Sequence, residues 1–341
     1  LVGRAQAELD GFKTSALRDR TSVPRHLYMV EWRTLHMTET CSVSMMLIGN
    51  NDSSVGDCKL LSSWTMRHEL LQQVDVYAWA VVAGAQRSSI ISDPLLVLEL
   101  TMVLVQTQAV TSPPPAVCWL TMTARRPAHA GLWGLARTVR AEASLPVQCI
   151  GHEQTLSLTQ GAPSAEPETT SRLDLALAPR LVHTAQMASA NNGAFTASAH
   201  LVTGGTSGLG LLTARWLAQS DGVRALALAS RSGMVVHGMV DTWVDLDTTN
   251  VVTLVQRCGT AECAHIKRLL TCITGVAPEM GVWHAAGVLA DGVLSGQTAE
   301  AVMRVYAPKA QGAWMLQRTC ATVTLGTSVL FSSLVALLGG A

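Results

Sequence analysis

The stretch His200–Gly233, which reads HLVTGGTSGLGLLTARWLAQSDGVRALALASRSG, constrains the fold more than any other part of the chain. A short apolar segment leads into a glycine-rich turn, and a segment with apolar residues at helical spacing follows. A second apolar segment completes the order strand, turn, helix, strand. This order is typical of a parallel, doubly wound α/β sheet, which we predict for the second half of the chain.

The glycine-rich turn has the spacing T-G-x-x-x-G-x-G, which suits a phosphate-binding loop. Glycines let the chain turn tightly and bring backbone N–H groups against a pyrophosphate, and the following helix N-terminus adds a partial positive charge. Ser207 replaces the middle glycine of the commoner G-x-G-x-x-G pattern, and a turn without a ligand is the alternative. The predicted cofactor-binding residues are Thr203, Gly204, Gly205, Thr206, Ser207, Gly208, Leu209 and Gly210.

The residues after the second strand indicate which dinucleotide binds. An NAD site usually ends this strand with an acid that takes the ribose 2′-hydroxyl. Here Ser230 and Arg231 stand at that place, and the guanidinium of Arg231 would pair with a 2′-phosphate. The alternative is an ordinary solvated surface arginine. The sequence therefore predicts NADP(H) as the cofactor.

The first half also alternates strands and helices, but no glycine-rich turn follows its strands. Strands are predicted near Leu27–Trp32, Met45–Gly49, Val76–Val82, Ala116–Met122 and Leu145–Ile150, and helices over Pro94–Gln108 and His129–Ala143. The stretch His152–Ser171 is predicted to be a surface loop. We therefore expect a Rossmann-like layer without a cofactor site over residues 1–186, a linker over 187–198 and the cofactor-binding unit over 199–341.

Composition and cysteine placement exclude several kinds of partner. The 24 acidic and 24 basic residues balance, so nothing attracts nucleic acid or an anionic membrane surface in general. The most apolar run, Pro94–Val105, contains Glu99 and is too short for a membrane span. Cys258, Cys263, His265 and Cys272 cluster in sequence. On a helix over Thr260–Thr274, however, Cys263 would point away from both His265 and Cys272. We expect no metal site and a cytoplasmic protein with reduced thiols.

Four ordered motifs in the second half carry a resemblance to a known family. They are VTGGTSGLG with ASRSG, GVWHAAGVLADGVL (Gly281–Leu294), APKAQGAWMLQ (Ala307–Gln317) and VLFSSLVALLGG (Val329–Gly340). With them the chain resembles the ketoreductase domains of modular type I polyketide synthases, which are short-chain dehydrogenase/reductases. The first half resembles the structural subdomain of this family through LYMVEWRTL (Leu27–Leu35) and GLWGLARTVRAE (Gly131–Glu142).

The resemblance implies an activity and a fold. The activity is NADPH-dependent reduction of a β-ketoacyl thioester on an acyl carrier protein to the β-hydroxyacyl form, beside neighbouring synthase domains. The fold is α/β, with two Rossmann-like subdomains built on parallel doubly wound sheets, the second truncated at its C-terminus. Alternatives that stay open are an inactive scaffold region of a megasynthase, a free-standing short-chain dehydrogenase and the ketoreductase of a type I fatty acid synthase.

The resemblance also assigns site residues. Lys309 matches the lysine of the family's P-K-x-x-G helix, and Ser333 matches the serine that hydrogen-bonds the substrate carbonyl. Their ordinary alternatives are a surface lysine at a helix start and a hydroxyl at a strand end. The stretch HAAG ends a strand, so Ala285, Ala286 and Gly287 would form the floor of the nicotinamide ribose site, whereas His284 is expected to be a packed histidine.

Three further positions bear on the function. Asp291 matches the second aspartate of the L-D-D motif of B-type ketoreductases and would influence stereochemistry, although it could simply form an Asp-Gly turn. Gly259 stands where the family often has an aspartate near the adenine. The family's tyrosine should lie thirteen residues after Ser333, where the chain has ended, and Tyr306 is expected to serve packing. We therefore expect a fragment that binds cofactor weakly or not at all and does not turn over alone.

Overall fold

A computed structural model describes residues 27–35, 46–48, 59–61, 78–83, 94–114, 116–121, 127–152, 166–172, 175–184, 197–275 and 279–333, together with Ala336 and Gly339. These residues form two α/β units, each built on its own sheet. The predicted linker over 187–198 lies almost wholly outside the described residues. Within the described part of the chain, no helix is both long and apolar enough to cross a membrane.

The first unit is a mixed sheet of eight strands, in the order β1-β8-β7-β6-β5-β4-β2-β3. Its strands are β1 (Leu27–Thr34), β2 (Met46–Ile48), β3 (Lys59–Leu61), β4 (Ala78–Ala83), β5 (Ala116–Thr121), β6 (Val147–His152), β7 (Glu168–Arg172) and β8 (Leu175–Thr184). Its helices are α1 (Pro94–Val110) and α2 (Pro127–Ala143). The five predicted strands and both predicted helices are confirmed within a few residues at their ends.

The predicted parallel pairing is confirmed for the neighbouring strands β3, β2, β4, β5, β6 and β7. It is wrong at the edge formed by β8 and β1. Strand β8 runs antiparallel both to β7 and to β1. The connection from β7 to β8 spans only residues 173 and 174, and so short a connection can join antiparallel strands only.

The predicted surface loop over His152–Ser171 is also wrong at both of its ends. His152 belongs to β6, and β7 begins at Glu168. The carboxylate of Glu168 is buried and accepts hydrogen bonds from Arg137 at 2.8 and 2.6 Å and from Arg140 at 2.5 Å. Strand β7 consists of polar residues only, and its first residue is held by ion pairs, so the sequence shows no apolar pattern that would predict a strand.

The second unit is a five-stranded parallel sheet in the order β11-β10-β9-β12-β13. Its elements are β9 (Ala199–Thr203), α3 (Gly208–Ala218), β10 (Ala225–Ser230), α4 (Val240–Asp247), β11 (Val252–Arg257), α5 (Cys263–Thr274), β12 (Met280–His284), α6 (Ala299–Tyr306), a π-helical turn (Ala307–Gln311), α7 (Gly312–Cys320) and β13 (Leu325–Leu330). The chain order reverses between β9 and β12, and in open α/β sheets ligands bind outside the carboxyl ends of such strands.

Alternate residues of the central strands supply the two cores of the second unit. Leu201 of β9 belongs to a buried cluster with Ile266 of α5 and Leu316 of α7. Its neighbour Val202 belongs to a second cluster, which includes Leu211 of α3 and Leu246 of α4. Helices therefore cover both faces of this sheet, and every residue of β9 and β12 is buried, including His200 and His284.

The ion pair of Glu168 should stabilise the first unit strongly. In Glu168→Gln the neutral amide leaves two half-buried guanidinium groups without their counter-charge, so the free energy of unfolding should fall by about 2–4 kcal/mol. The matched control is Glu31→Gln, which breaks the exposed pair of Glu31 with Arg33 and should cost less than about 1 kcal/mol. Urea unfolding followed by circular dichroism measures both, and equal losses would contradict this account.

Candidate active site

At two of its glycines, the turn after β9 leaves no room for a side chain. Gly204 has a φ of +69°, and a Cβ atom there would lie 2.7 Å from the carbonyl oxygen of Ala285. A Cβ atom on Gly210 would lie 2.2 Å from the carbonyl oxygen of Gly204. The first turn of α3 therefore packs directly on the loop, which leaves backbone N–H groups at the N-terminus of α3 beside the turn.

A cleft of about 920 Å³ lies at the carboxyl ends of β9, β10, β11 and β12. The predicted cofactor-binding residues that line it are Gly204, Thr206, Ser207, Ser230, Arg231, Ala286 and Gly287. The other predicted residues do not line the cleft. The side chain of Leu209 is exposed to solvent, and the rest form the turn and its contact with β12: Thr203, Gly205, Gly208, Gly210 and Ala285. The structure thus brings the turn, the arginine and the HAAG stretch to one cleft.

The cleft has further walls that the sequence did not indicate. Cys258 and Thr260, just after β11, and Met303 and Arg304, on α6, line it as well. The sequence of α6 has an amphipathic pattern, which predicts a helix but does not indicate what its polar side binds.

The structure also describes the positions around Gly259. The backbone N–H of Gly259 donates to Nδ1 of His265 at 3.2 Å, so this N–H does not point at the cleft as an adenine contact. In the described part of the chain, no three histidine, cysteine or acidic side chains lie close enough together to hold a metal ion.

His284 connects three parts of the site. Its Nε2 lies 3.0 Å from the carbonyl oxygen of Lys309, and a carbonyl can only accept, so Nε2 carries the proton. Nδ1 is then the acceptor, and the hydroxyl of Thr203 donates to it at 2.7 Å. Burial lowers the pKa of His284, which agrees with a neutral ring. As predicted, His284 is a packed residue.

The side chain of Lys309 passes over Gly287. A Cβ atom on residue 287 would lie 2.8 Å from Cε of Lys309, so the glycine makes room for the aliphatic part of the lysine. Lys309 lies in the π-helical turn, in the middle of the segment whose backbone His284 holds. A larger residue at position 287 would displace the ammonium group from this place.

A second cavity, of about 530 Å³, contains the other predicted site residues. Lys309, Ser333 and Asp291 all line it, and so does Tyr306, which was expected to serve packing. Ser333 follows β13, and Asp291 lies on the loop after β12. Because Gly287 lines the first cleft and Lys309 the second cavity, the two spaces border each other where these residues touch.

The loop around Asp291 is held by the side chain of Gln297. Nε2 of Gln297 donates to the carbonyl oxygens of Ala290 at 3.2 Å and Gly292 at 3.0 Å, on either side of Asp291. The carboxylate of Asp291 itself is exposed. This arrangement presents a carboxylate at the edge of the second cavity.

Comparisons with known proteins relate the chain to polyketide synthases. Residues 198–341 match the family model described as KR domain. Polyketide synthase GfsA of Streptomyces halstedii is 34% identical over 216 residues, which are 62% of this chain and 3% of that protein. Erythronolide synthase EryA2 of Saccharopolyspora erythraea is 38% identical over 140 residues, which are 41% of this chain and 4% of that protein. The chain thus spans a small part of these relatives.

Solved structures extend the likeness of fold to both units. An A-type ketoreductase from a modular polyketide synthase superposes with a TM-score of 0.78 at 23% identity, over 92% of this chain and 76% of that one. An A1-type ketoreductase gives a TM-score of 0.79 at 22% identity, over 92% and 75% of the two chains. Residues 198–341 thus carry the KR domain, and the fold of both units is similar to that of ketoreductases from modular polyketide synthases.

Proposed function

We propose that the chain serves a polyketide synthase by reducing a β-ketoacyl thioester to the β-hydroxyacyl form with NADPH. The observation that carries this proposal is the border between the two cavities. The glycine-rich turn and Arg231 line one of them, Lys309 and Ser333 line the other, and Gly287 lies against Lys309 between them. A hydride donor and a carbonyl group bound in these two spaces would meet at this border.

The residues of the first cleft fit a phosphorylated dinucleotide. Cβ atoms on Gly204 and Gly210 would meet backbone atoms of the fold, so these glycines hold the turn close to the start of α3, whose first N–H groups would bind a pyrophosphate. Arg231 is exposed in the cleft, where its guanidinium would bind the 2′-phosphate of NADP(H). The chemistry that this cofactor supplies when bound is a hydride, delivered to the carbonyl carbon.

The chain's own residues would handle the charge that forms on oxygen. As the carbonyl double bond breaks, its electron pair moves to the oxygen, which needs hydrogen-bond donors and then a proton. The hydroxyl of Ser333 would donate to that oxygen, and the ammonium of Lys309 would stabilise the negative charge nearby. The proton donor of the family is a tyrosine, which the resemblance places thirteen residues after Ser333, beyond residue 341.

The proposed substrate is carried on the phosphopantetheine arm of an acyl carrier protein. The second cavity is bordered by apolar side chains such as Leu289 and by the carboxylate of Asp291, so an acyl chain and a polar arm both find a surface there. We further propose neighbouring synthase domains as partners and a cytoplasmic location. The fatty acid synthase alternative is not favoured, because the relatives above are polyketide synthases. The scaffold alternative is not favoured, because Lys309 and Ser333 line one cavity beside the cleft.

Arg231 should set the preference for NADPH. In the synthase polypeptide that contains this chain, Arg231→Ala should raise the dissociation constant of NADPH about 10- to 100-fold, since a charge-assisted contact to the 2′-phosphate is lost. The dissociation constant of NADH should change by less than about threefold. The matched control is Arg224→Ala, an exposed arginine that precedes β10 at its other end. Fluorescence titration of the wild type and both variants with each cofactor gives six dissociation constants, and equal affinities of the wild type for NADPH and NADH would contradict the assignment.

Asp291 should bias the configuration of the product. If it guides entry of the carrier-bound arm, the wild-type synthase should give mainly the D-configured β-hydroxy thioester from a diketide thioester. Asp291→Ala should lower that excess, whereas Asp221→Ala, at an exposed position after α3, should not. Chiral chromatography measures the ratio of D- to L-configured product. A mainly L-configured product from the wild type would reject the assignment, and an unchanged ratio in Asp291→Ala would remove its role in control.

A further inference from the structure

The loop between β12 and α6 carries Asp291 but contains little regular structure of its own. Apart from a short 3₁₀ turn at Leu294–Gly296, it is irregular up to the start of α6. Such a segment needs outside contacts to keep one conformation, because its backbone groups have few partners within it. Those contacts come largely from the first unit.

Leu294 is fixed to the first unit at three points. Its backbone N–H donates to Oε1 of Glu142 on α2 at 2.6 Å. Its carbonyl oxygen accepts from Nε2 of Gln106 on α1 at 3.0 Å. Its side chain is buried and belongs to the core cluster of the first unit, with Leu132 and Trp133. One residue of the loop is therefore part of the neighbouring core.

Two glutamine side chains connect α1 of the first unit to the backbone around Asp291. Nε2 of Gln106 also donates to the carbonyl oxygen of Gln297, at 3.0 Å. The side-chain amide of Gln297 in turn donates to the carbonyl oxygens on both sides of Asp291. An NH₂ group has two hydrogens, so each glutamine can make its two hydrogen bonds at once. The four bonds form one path from α1 to the backbone around Asp291.

We propose that Gln106 and Gln297 are positioning residues, through which the first unit fixes the loop that determines the product's configuration. Gln297 holds the backbone around Asp291, and Gln106 holds Gln297 and Leu294 from α1. The first unit thereby acts on stereochemistry, although it contributes no group to the chemical step. This inference rests on the proposed function, because Asp291 matters only if a carrier-bound substrate passes it.

Isosteric variants test the role of the two glutamines most directly. Gln297→Glu and Gln106→Glu keep the length and shape of the side chain but remove both N–H donors at neutral pH, and they place a carboxylate against carbonyl oxygens. The matched control is Gln219→Glu, which introduces the same charge at an exposed residue after α3. All three variants are made both in this 341-residue chain and in the synthase polypeptide that contains it.

The first measurement is hydrogen–deuterium exchange in the 341-residue chain, which requires no activity. Gln106→Glu and Gln297→Glu should speed amide exchange over residues 288–298 at least about fivefold, while amides of β10 keep their rates. Gln219→Glu should leave the loop unchanged. Unchanged exchange of the loop in both variants would overturn the proposal.

The second measurement is turnover of a diketide thioester by the synthase. Both variants should shift the ratio of D to L product at least about fivefold and raise KM more than they lower kcat, because the substrate's approach and not the chemistry is disturbed. A merely structural role would lower the melting temperature and leave the product ratio alone, and that result would overturn the proposal. A wild-type synthase that reduces no thioester would refute the proposed function instead, and the exchange measurement still decides whether the two glutamines hold the loop.

Discussion

The hydrogen bonds of His284 are the interaction on which the rest of the site depends. They join the end of β9, through Thr203, to the π-helical turn, through the carbonyl of Lys309, while His284 itself ends β12. The glycine-rich turn, the floor of the cleft and the lysine are thus fixed to one another at the point where the chain order of the sheet reverses. Because the ring is buried and its pKa is lowered, the neutral tautomer that makes both bonds is the favoured one.

Much of this arrangement could be predicted from local sequence. The turn from Thr203 to Gly210 is predicted from the spacing of its glycines, and β9 from the short apolar segment that precedes the turn. The edge of the first sheet could not be read in this way. Strand β7 is stabilised by Glu168 pairing with arginines of α2, a contact between residues about thirty positions apart that no periodicity reveals.

The loop after β12 shows the same limit at the functional site. The sequence identified Asp291 by its place in a motif, but it gave no reason to connect this residue with Gln106, which lies far away in the chain. The connection exists because helices α1 and α2 of the first unit face this loop and accept Leu294 into their core. The first unit can therefore shape the site of its neighbour.

The central claim is that a dinucleotide in the first cleft meets a carbonyl group at the border formed by Gly287 and Lys309. The most direct measurement uses NADPH deuterated at C4, on the hydride that is transferred, with the synthase and a β-ketoacyl thioester, followed by mass spectrometry of the product. The account predicts one deuterium on the carbon that bears the new hydroxyl group, in molar proportion to the NADPH consumed. Product without this deuterium, or consumption of NADPH without labelled product, would contradict it.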